Sequence, residues 1–468
     1  MACIGRKVLS FFGVLMLCAH FNAGAENATV SNCAAFGTTT WKEYRQDKTL
    51  QIQYLLFNRQ GMSCGKVMSP EAVKNISSSY YTASLPTKII IHGFRALGSK
   101  PSWIQNLVQA LLTATDANVL VVDWIHAASF AYNRVVNNYQ EVALEISHLI
   151  KELINIGSKK ESIHLIGVSV GAHVAGYVGT LFGGRLGRIT GLDAAGPMFK
   201  HARTFNRLDH TDALFVEAIH TDSDNFGISI PVGHVNFFLN GGNDQPGCTR
   251  SSFSTIFLYF PVYDYLICDH MRAVYVYISA LNGSCPLMGF PCDNYERFVS
   301  GSCLDCKVPF NGSCPQIGLP ENNWIKVTPP ENENLFLMTT AAAPFCTHHF
   351  LLELEITPLK KSTEVLVTLR SERNSDTQDK IKLQSNVPSL KKVTSHPAAL
   401  CNIDSIELKT SSRFFPRKEI TIHKICITQL PYGSGKEEPL CVEDIVLRRN
   451  APWSHDFVHL CTTSNMEI

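Results

Sequence analysis

An excess of either charge is missing from this 468-residue chain: 41 lysines and arginines face 40 aspartates and glutamates, and charged residues make up only 17%. A balance so close to neutral leaves no electrostatic footprint for nucleic acid, so no nucleic-acid partner is expected. Beyond the first residues there is also no apolar run long enough to span a bilayer. Internal repeats and low-complexity tracts are absent from the sequence, which argues against solenoid and disordered classes. What remains, at 45% hydrophobic residues, is an ordinary globular composition long enough for two or three domains.

Cysteine is plentiful by contrast, and the first residues say why. Arg6 and Lys7 precede the apolar run 8–18, and Ala23-Gly24-Ala25 offers a small-residue cleavage site. A signal peptide over 1–25 and a mature, secreted, extracellular chain starting near Glu26 are expected. The alternative is a signal anchor, but the run is shorter than the ~20 residues a spanning helix needs. Of the 16 cysteines, Cys3 and Cys18 would leave with the signal, and the even remainder reads as disulfides. Cys303 and Cys306 have a zinc-like spacing, which keeps a metal reading open. Their neighbours Cys292 and Cys314, with the secretory context, favour Cys292 with Cys303 and Cys306 with Cys314, and no metal or cofactor is expected. Asn27, Asn75, Asn282 and Asn311 each begin a glycosylation sequon, which suits a secreted glycoprotein.

Between about Leu50 and Thr221, short apolar runs alternate with helical stretches, as a mostly parallel sheet with crossover helices requires. Strands are expected at 51–57, 88–91, 119–123, 163–168, 188–192 and 215–218, and helices at 103–112 and 139–154. After about Pro330 the texture turns to β-rich stretches separated by polar turns, at 350–356, 363–369 and 419–427. The division expected is a catalytic α/β domain over 26–335 and a smaller β-sandwich over 336–468. The basic pairs Lys360-Lys361, Lys391-Lys392, Arg417-Lys418 and Arg448-Arg449 read first as solvated surface charge, with a cell-surface polyanion site as the alternative.

The sharpest chemical signal is Gly167-Val168-Ser169-Val170-Gly171, between an apolar strand and the small-residue run Ala172-His-Val-Ala-Gly. Glycines there permit the tight turn that lifts a serine hydroxyl off a sheet, as in α/β-hydrolases. A serine attacks only when a base takes its proton, and the base needs an acid to fix its tautomer. In the order serine, acid, histidine, Asp193 at the end of the next strand is the leading acid, with Asp123 and Asp212 as rivals. His270, in Cys268-Asp269-His270-Met271-Arg272, is the leading base, in a loop that Cys268 could anchor. His164, His173, His220, His234, His348 and His349 have structural readings. The amides of Val170 and Phe94 suit an oxyanion hole, although the stretch around Phe94 could also be a plain loop.

The stretches IHGF, GVSVGAH, GLDAAGP, GGNDQPGC and CDHMRAV resemble the pancreatic lipase family along the whole chain. That resemblance implies an α/β-hydrolase domain followed by a PLAT-like β-sandwich, with Ser169, Asp193 and His270 as triad and Phe94 and Val170 as oxyanion donors. It also implies that Cys248 pairs with Cys268 to close a lid containing Phe257, Leu258 and Phe260. Stretches such as TKIIIHGFRALGSKPSW resemble the family's phospholipase A1 members, which implies hydrolysis of the sn-1 acyl ester of a phospholipid, with phosphatidylserine as implied substrate. Phospholipid membrane surfaces or lipoprotein particles would be the partners. Two loops separate phospholipases from triglyceride lipases in this family. The loop between Asp222 and Val232 is short, as in phospholipases, whereas the 248–268 lid approaches lipase length and keeps a triglyceride or lipoprotein lipase as an alternative, beside a phosphatidic-acid-selective phospholipase A1 and a non-catalytic lipid-binding protein on the same scaffold. Where the acid motif usually has proline this chain has alanine, in Asp193-Ala194-Ala195-Gly196-Pro197. In the stretch from Arg207 to Asp212 the two carboxylates Asp209 and Asp212 resemble part of a calcium site of some relatives, but Thr204 supplies no further acid, so bound calcium is not claimed.

Overall fold

The computed structural model describes residues 33–457, apart from 48, 72, 74–79, 249–266, 284–285, 308–309, 311, 319–329, 411–418, 432–437 and 449–450. The expected signal segment, the sequons at Asn27, Asn75 and Asn311, and lid residues Phe257, Leu258 and Phe260 lie outside the described residues. Asn282 lies within them, exposed at the end of a helix.

Among the described residues, ten strands form one sheet: β1 (Gln53–Phe57), β2 (Lys66–Met68), β3 (Thr87–Ile91), β4 (Asn118–Asp123), β5 (Ile163–Val168), β6 (Arg188–Leu192), β7 (Phe215–His220), β8 (Val235–Leu239), β9 (Phe290–Pro291) and β10 (Glu333–Leu337). Their order is β2-β1-β4-β3-β5-β6-β7-β8-β10-β9, parallel from β4 through β10 and antiparallel only at its two margins. Parallel strands need crossovers and coverage on both faces. Helix α1 (Trp41–Gln46) precedes β1, and α2 (Ile104–Ala114), α3 (Tyr132–Asn155), α4 (Val170–Leu181) and α5 (Cys268–Leu281) fall between strands accordingly. Side-chain alternation divides each strand between two cores. Ile89, Ile91, Leu120 and Val122 join the α3 and α4 side, while Ile90, Val119 and Val121 join the α2 and α5 side.

Two of the departures from the sequence reading concern helices. Helix α3 starts at Tyr132, well before the expected residue 139. Its first turns carry Asn137 and Asn138, weak helix formers whose residence there is set by burial of Val135 and Val136. His270 lies in the first turn of α5 rather than in a loop, because Ala273, Val274, Val276 and Tyr277 are buried against the sheet at helical spacing.

After β10, the antiparallel sheets β14-β11-β16-β17 and β13-β12-β15-β18 are built from β11 (His348–Ile356), β12 (Thr363–Ser371), β13 (Asn374–Leu383), β14 (Ser389–His396), β15 (Ser405–Thr410), β16 (Glu419–Gln429), β17 (Leu440–Arg448) and β18 (Trp453–Asp456). Inward residues of both sheets, Leu352, Val365, Ile406 and Ile425 among them, share one core, which makes this a β-sandwich. β10 belongs to the large sheet through Leu337, two strand positions past the expected boundary at 335. A separate cluster joins Phe238, Phe290, Phe298 and Phe336 to Leu351, Val393 and Leu430 of the sandwich. The molecule is thus an α/β-hydrolase sheet followed by a β-sandwich.

Disulfides link Cys248 to Cys268, Cys292 to Cys303 and Cys306 to Cys314, leaving no zinc-ready pair in that region, and Cys426 pairs with Cys441 across β16 and β17. Among the described residues no helix is long and apolar enough to cross a membrane.

Candidate active site

The site assembles at the carboxyl ends of β3, β5, β6 and β7, where an open parallel sheet leaves its loops free to converge. Ser169 stands between β5 and α4 at φ 56, ψ −122, a conformation that costs a non-glycine residue about 1–3 kcal/mol and survives only where packing enforces it. Packing does enforce it. Gly171 runs so close to the carbonyls of Ile91 and His92 that a methyl group there would strike both, and α4 is buried along Val170–Gly179. The Ser169 amide donates to the Leu192 carbonyl at 3.1 Å, which fastens the serine turn to the residue before Asp193.

Asp193 is fully buried and also sits at positive φ. Its Oδ1 accepts the backbone amides of Thr221 at 2.8 Å and Asp222 at 3.2 Å, and its Oδ2 lies 2.6 Å from His270 Nδ1. The leading acid and base are therefore brought together, 77 residues apart in sequence. The start of α5 that carries His270 is held by the Cys248–Cys268 bond, by Gln245 donating from its amide to Asp269, and by Arg272 donating to the Pro246 carbonyl at 2.8 Å.

The rival acids are elsewhere. Asp123 accepts from the amides of Gly37 and Ile125, and Asp212 caps a short turn and accepts from Thr180 at 2.7 Å. Burial raises the Asp212 carboxyl to about 7.

On the other side of Ser169, the loop after β3 passes close. A Cβ added at Gly93 would lie 2.7 Å from the Ser169 Cβ and 3.2 Å from its Oγ. Phe94 follows directly, with its ring edge-on to Tyr132 at 5.6 Å. Buried His92 anchors this loop by accepting the Trp124 indole N–H on its carbonyl at 2.9 Å, and burial pushes its imidazole down to about 3, so it stays neutral. Val170 opens α4, where an amide has no carbonyl within the helix to bond.

Other histidines serve as struts. His173 receives the Leu208 amide on Nδ1 at 3.0 Å, so Nε2 carries the proton and donates to the Ala195 carbonyl at 2.8 Å. That bond braces the turn after Asp193, where the family's usual proline is missing. His234 Nδ1 likewise accepts the Val216 amide.

The sequence reading used the short loop after Asp222 only to tell phospholipases from lipases, and gave it no bearing on the acid. Ile228 donates to the Ala194 carbonyl at 2.7 Å, Gly196 donates to the Phe226 carbonyl at 2.8 Å, and Gly227 lies on Asp193 itself. A Cβ at Gly227 would fall 2.6 Å from both carboxylate oxygens. Gly227→Ala should therefore displace the carboxylate from His270 and lower kcat on a soluble ester about 100-fold, a cost typical of a shift near 1 Å. A variant with unchanged kcat and normal melting temperature would show that the loop does not bear on the acid.

A family model described as Lipase matches residues 18–345. Phospholipase A1 member A of Bos taurus is 46% identical over 417 residues, covering 88% of this chain and 89% of its own. The Homo sapiens protein of the same description is 44% identical over 418 residues, covering 88% and 89%. Lipase member H of Danio rerio is 33% identical over 437 residues, covering 89% and 91%. This chain is an ester hydrolase and belongs to the pancreatic lipase family, whose motifs its sequence resembles.

Proposed function

We propose that this chain is a secreted serine phospholipase A1, which cleaves the sn-1 acyl ester of a glycerophospholipid, phosphatidylserine in particular, to a 2-acyl lysophospholipid and a fatty acid. The observation that carries the reading is the buried 2.6 Å contact between Asp193 and His270 beside the Ser169 turn. In this reading Ser169 attacks the ester carbonyl while His270 takes its proton, then returns it to the departing glycerol oxygen. Asp193 orients the ring and stabilises the imidazolium, and the amides of Phe94 and Val170 hold the oxyanion. Water repeats the sequence on the acyl-enzyme, with no cofactor required. Residues 26–335 would form the catalytic domain and 336–468 the PLAT-like sandwich.

The substrate class has two supports: relatives described as phospholipase A1 at 44–46% identity, and a loop between Asp222 and Val232 whose shortness resembles the phospholipases. The surface around it suits a phospholipid membrane or lipoprotein particle. Leu97, Met198 and Phe226 are 65%, 58% and 42% exposed, and all three flank the site's loops. Met198 follows Pro197, whose carbonyl accepts the Tyr132 hydroxyl at 2.8 Å, and the Phe226 ring lies 6.0 Å from His270. Large apolar side chains held in water at one rim mark a surface that meets an apolar phase. A polyanion site in the sandwich has less support, because Lys391, Lys392 and Arg448 lie beside Glu353, Asp379 and Glu419.

Phosphatidylserine vesicles and triolein emulsions, offered to the same enzyme with positional analysis of the released chain, test the reading. Release from sn-1 of phosphatidylserine should dominate, and faster turnover of triolein would favour a triglyceride lipase instead. Replacing Leu97 and Met198 together by aspartate should cut vesicle hydrolysis at least about tenfold more than hydrolysis of a soluble ester, since burying a carboxylate in lipid is costly. Equal losses on both substrates would count against an interfacial rim.

A further inference from the structure

A second buried carboxylate stands beside the acid and base. Asp222, directly after β7, is 2% exposed. One of its carboxylate oxygens, one of Asp193 and one ring nitrogen of His270 all lie within 4.8 Å of one another. Its place is fixed on every side. The Asp222 amide donates to Asp193 Oδ1, its Oδ1 accepts from Asn225 Nδ2 at 3.0 Å, and its Oδ2 accepts the Phe226 amide at 3.3 Å. Its carbonyl receives the amides of Asn225 at 3.1 Å and Gly227 at 2.9 Å. The same residue thus shapes the loop that lies on Asp193 and adds a charge within 4.8 Å of a ring nitrogen of His270.

We propose that Asp222 is a positioning residue for ester hydrolysis, which supplies a second negative charge to the His270 imidazolium and holds the 222–228 loop against Asp193. The inference rests on the assignment of Ser169, Asp193 and His270 made above. The physical reason is that His270 carries a full positive charge only while it holds the serine's proton. A charge that attracts that form, among side chains as buried as Asp193, Asp222 and His270, lowers the barrier more than it strengthens substrate binding. A neutral imidazole gains little from it.

Burial raises the Asp222 carboxyl to about 6; Asp193 pushes it further up, and Asn225, His270 and the Phe226 amide oppose the rise. Asp222 therefore contributes above that value and ceases to contribute as pH falls through it. Protonation of Asp222 then adds its own step to acid inactivation, and log(kcat/KM) should fall more steeply than a single titration allows.

The test uses the full chain and p-nitrophenyl butyrate, with kcat, KM, melting temperature and pH profile measured for wild type, Asp222→Asn and Asp222→Ala. Asparagine keeps the shape and an acceptor for the loop but removes the charge. It should lower kcat about 10- to 100-fold with KM within about twofold, and reduce the acid limb to one proton, at an unchanged melting temperature. Alanine, which also releases the loop, should lower kcat further. An asparagine variant with wild-type kcat overturns the proposal, and so does one whose reduced kcat comes with a lowered melting temperature and an unaltered acid limb. Should asparagine prevent folding, the wild-type profile decides: a one-proton acid limb overturns the proposal and a two-proton limb supports it. Failure of the wild type to hydrolyse any ester would instead sink the proposed function itself.

Discussion

Ser169→Ala should lower turnover of vesicle phospholipid and soluble ester alike by on the order of 10⁵-fold or more, while the protein is secreted and melts as the wild type does. The expected size reflects the removal of the one oxygen that would form the acyl-enzyme under the proposed mechanism, leaving only positioning and oxyanion binding. Folding should be spared because alanine meets the same backbone demand at φ 56 that serine meets, and because what holds the turn is backbone: the Ser169 amide on Leu192 and the close approach of Gly171 to β3. Steady-state hydrolysis and thermal unfolding check both halves. Labelling by a fluorophosphonate should be lost in parallel, and a variant that still hydrolyses or still labels would remove Ser169 from the mechanism.

Asp193→Asn should cost about 10⁴-fold in kcat, and the reason lies in the donors around this residue. Asp193 accepts the amides of Thr221 and Asp222 on one oxygen and faces His270 with the other. Asparagine has a single oxygen. The two backbone amides can only donate, so they hold that oxygen on their side and turn the NH₂ toward His270 Nδ1. Nδ1 must then accept, its proton moves to Nε2, and the imidazole can no longer take the serine's proton. Nothing in the packing need change. Activity within tenfold of wild type would mean that His270 is oriented by something other than Asp193.

Much of this was legible in the sequence, for reasons that differ by element. The strands at 163–168 and 188–192 were read to the residue because buried parallel strands are unbroken apolar runs between polar turns. Ser169 was legible because a strand-to-helix turn needs small residues at fixed offsets. Asp193 followed from strand order, but His270 could be placed only by its rank in the chain and by resemblance, since a histidine at the start of a helix has no local signature. Strands β2 and β9 are short and held by neighbours, so no periodicity could announce them. Asp222 and Gly227 went unread although the same logic reached them: an acid at the end of β7 is as well placed as one at the end of β6. What was missing is the fold of the 222–228 loop back over Asp193, a tertiary contact that its own residues do not encode.

The aromatic cluster shared by Phe238, Phe290, Phe298 and Phe336 with Leu351, Val393 and Leu430 makes the sandwich part of the hydrolase's foundation. A chain cut short after Leu337 would carry a greasy scar where Leu351 and Val393 had lain, directly behind the strand that leads to the second half of the site. Such a fragment would clump before its chemistry could be judged. Lipid preference is therefore better swapped between relatives by exchanging loops on an intact chain than by trading whole halves.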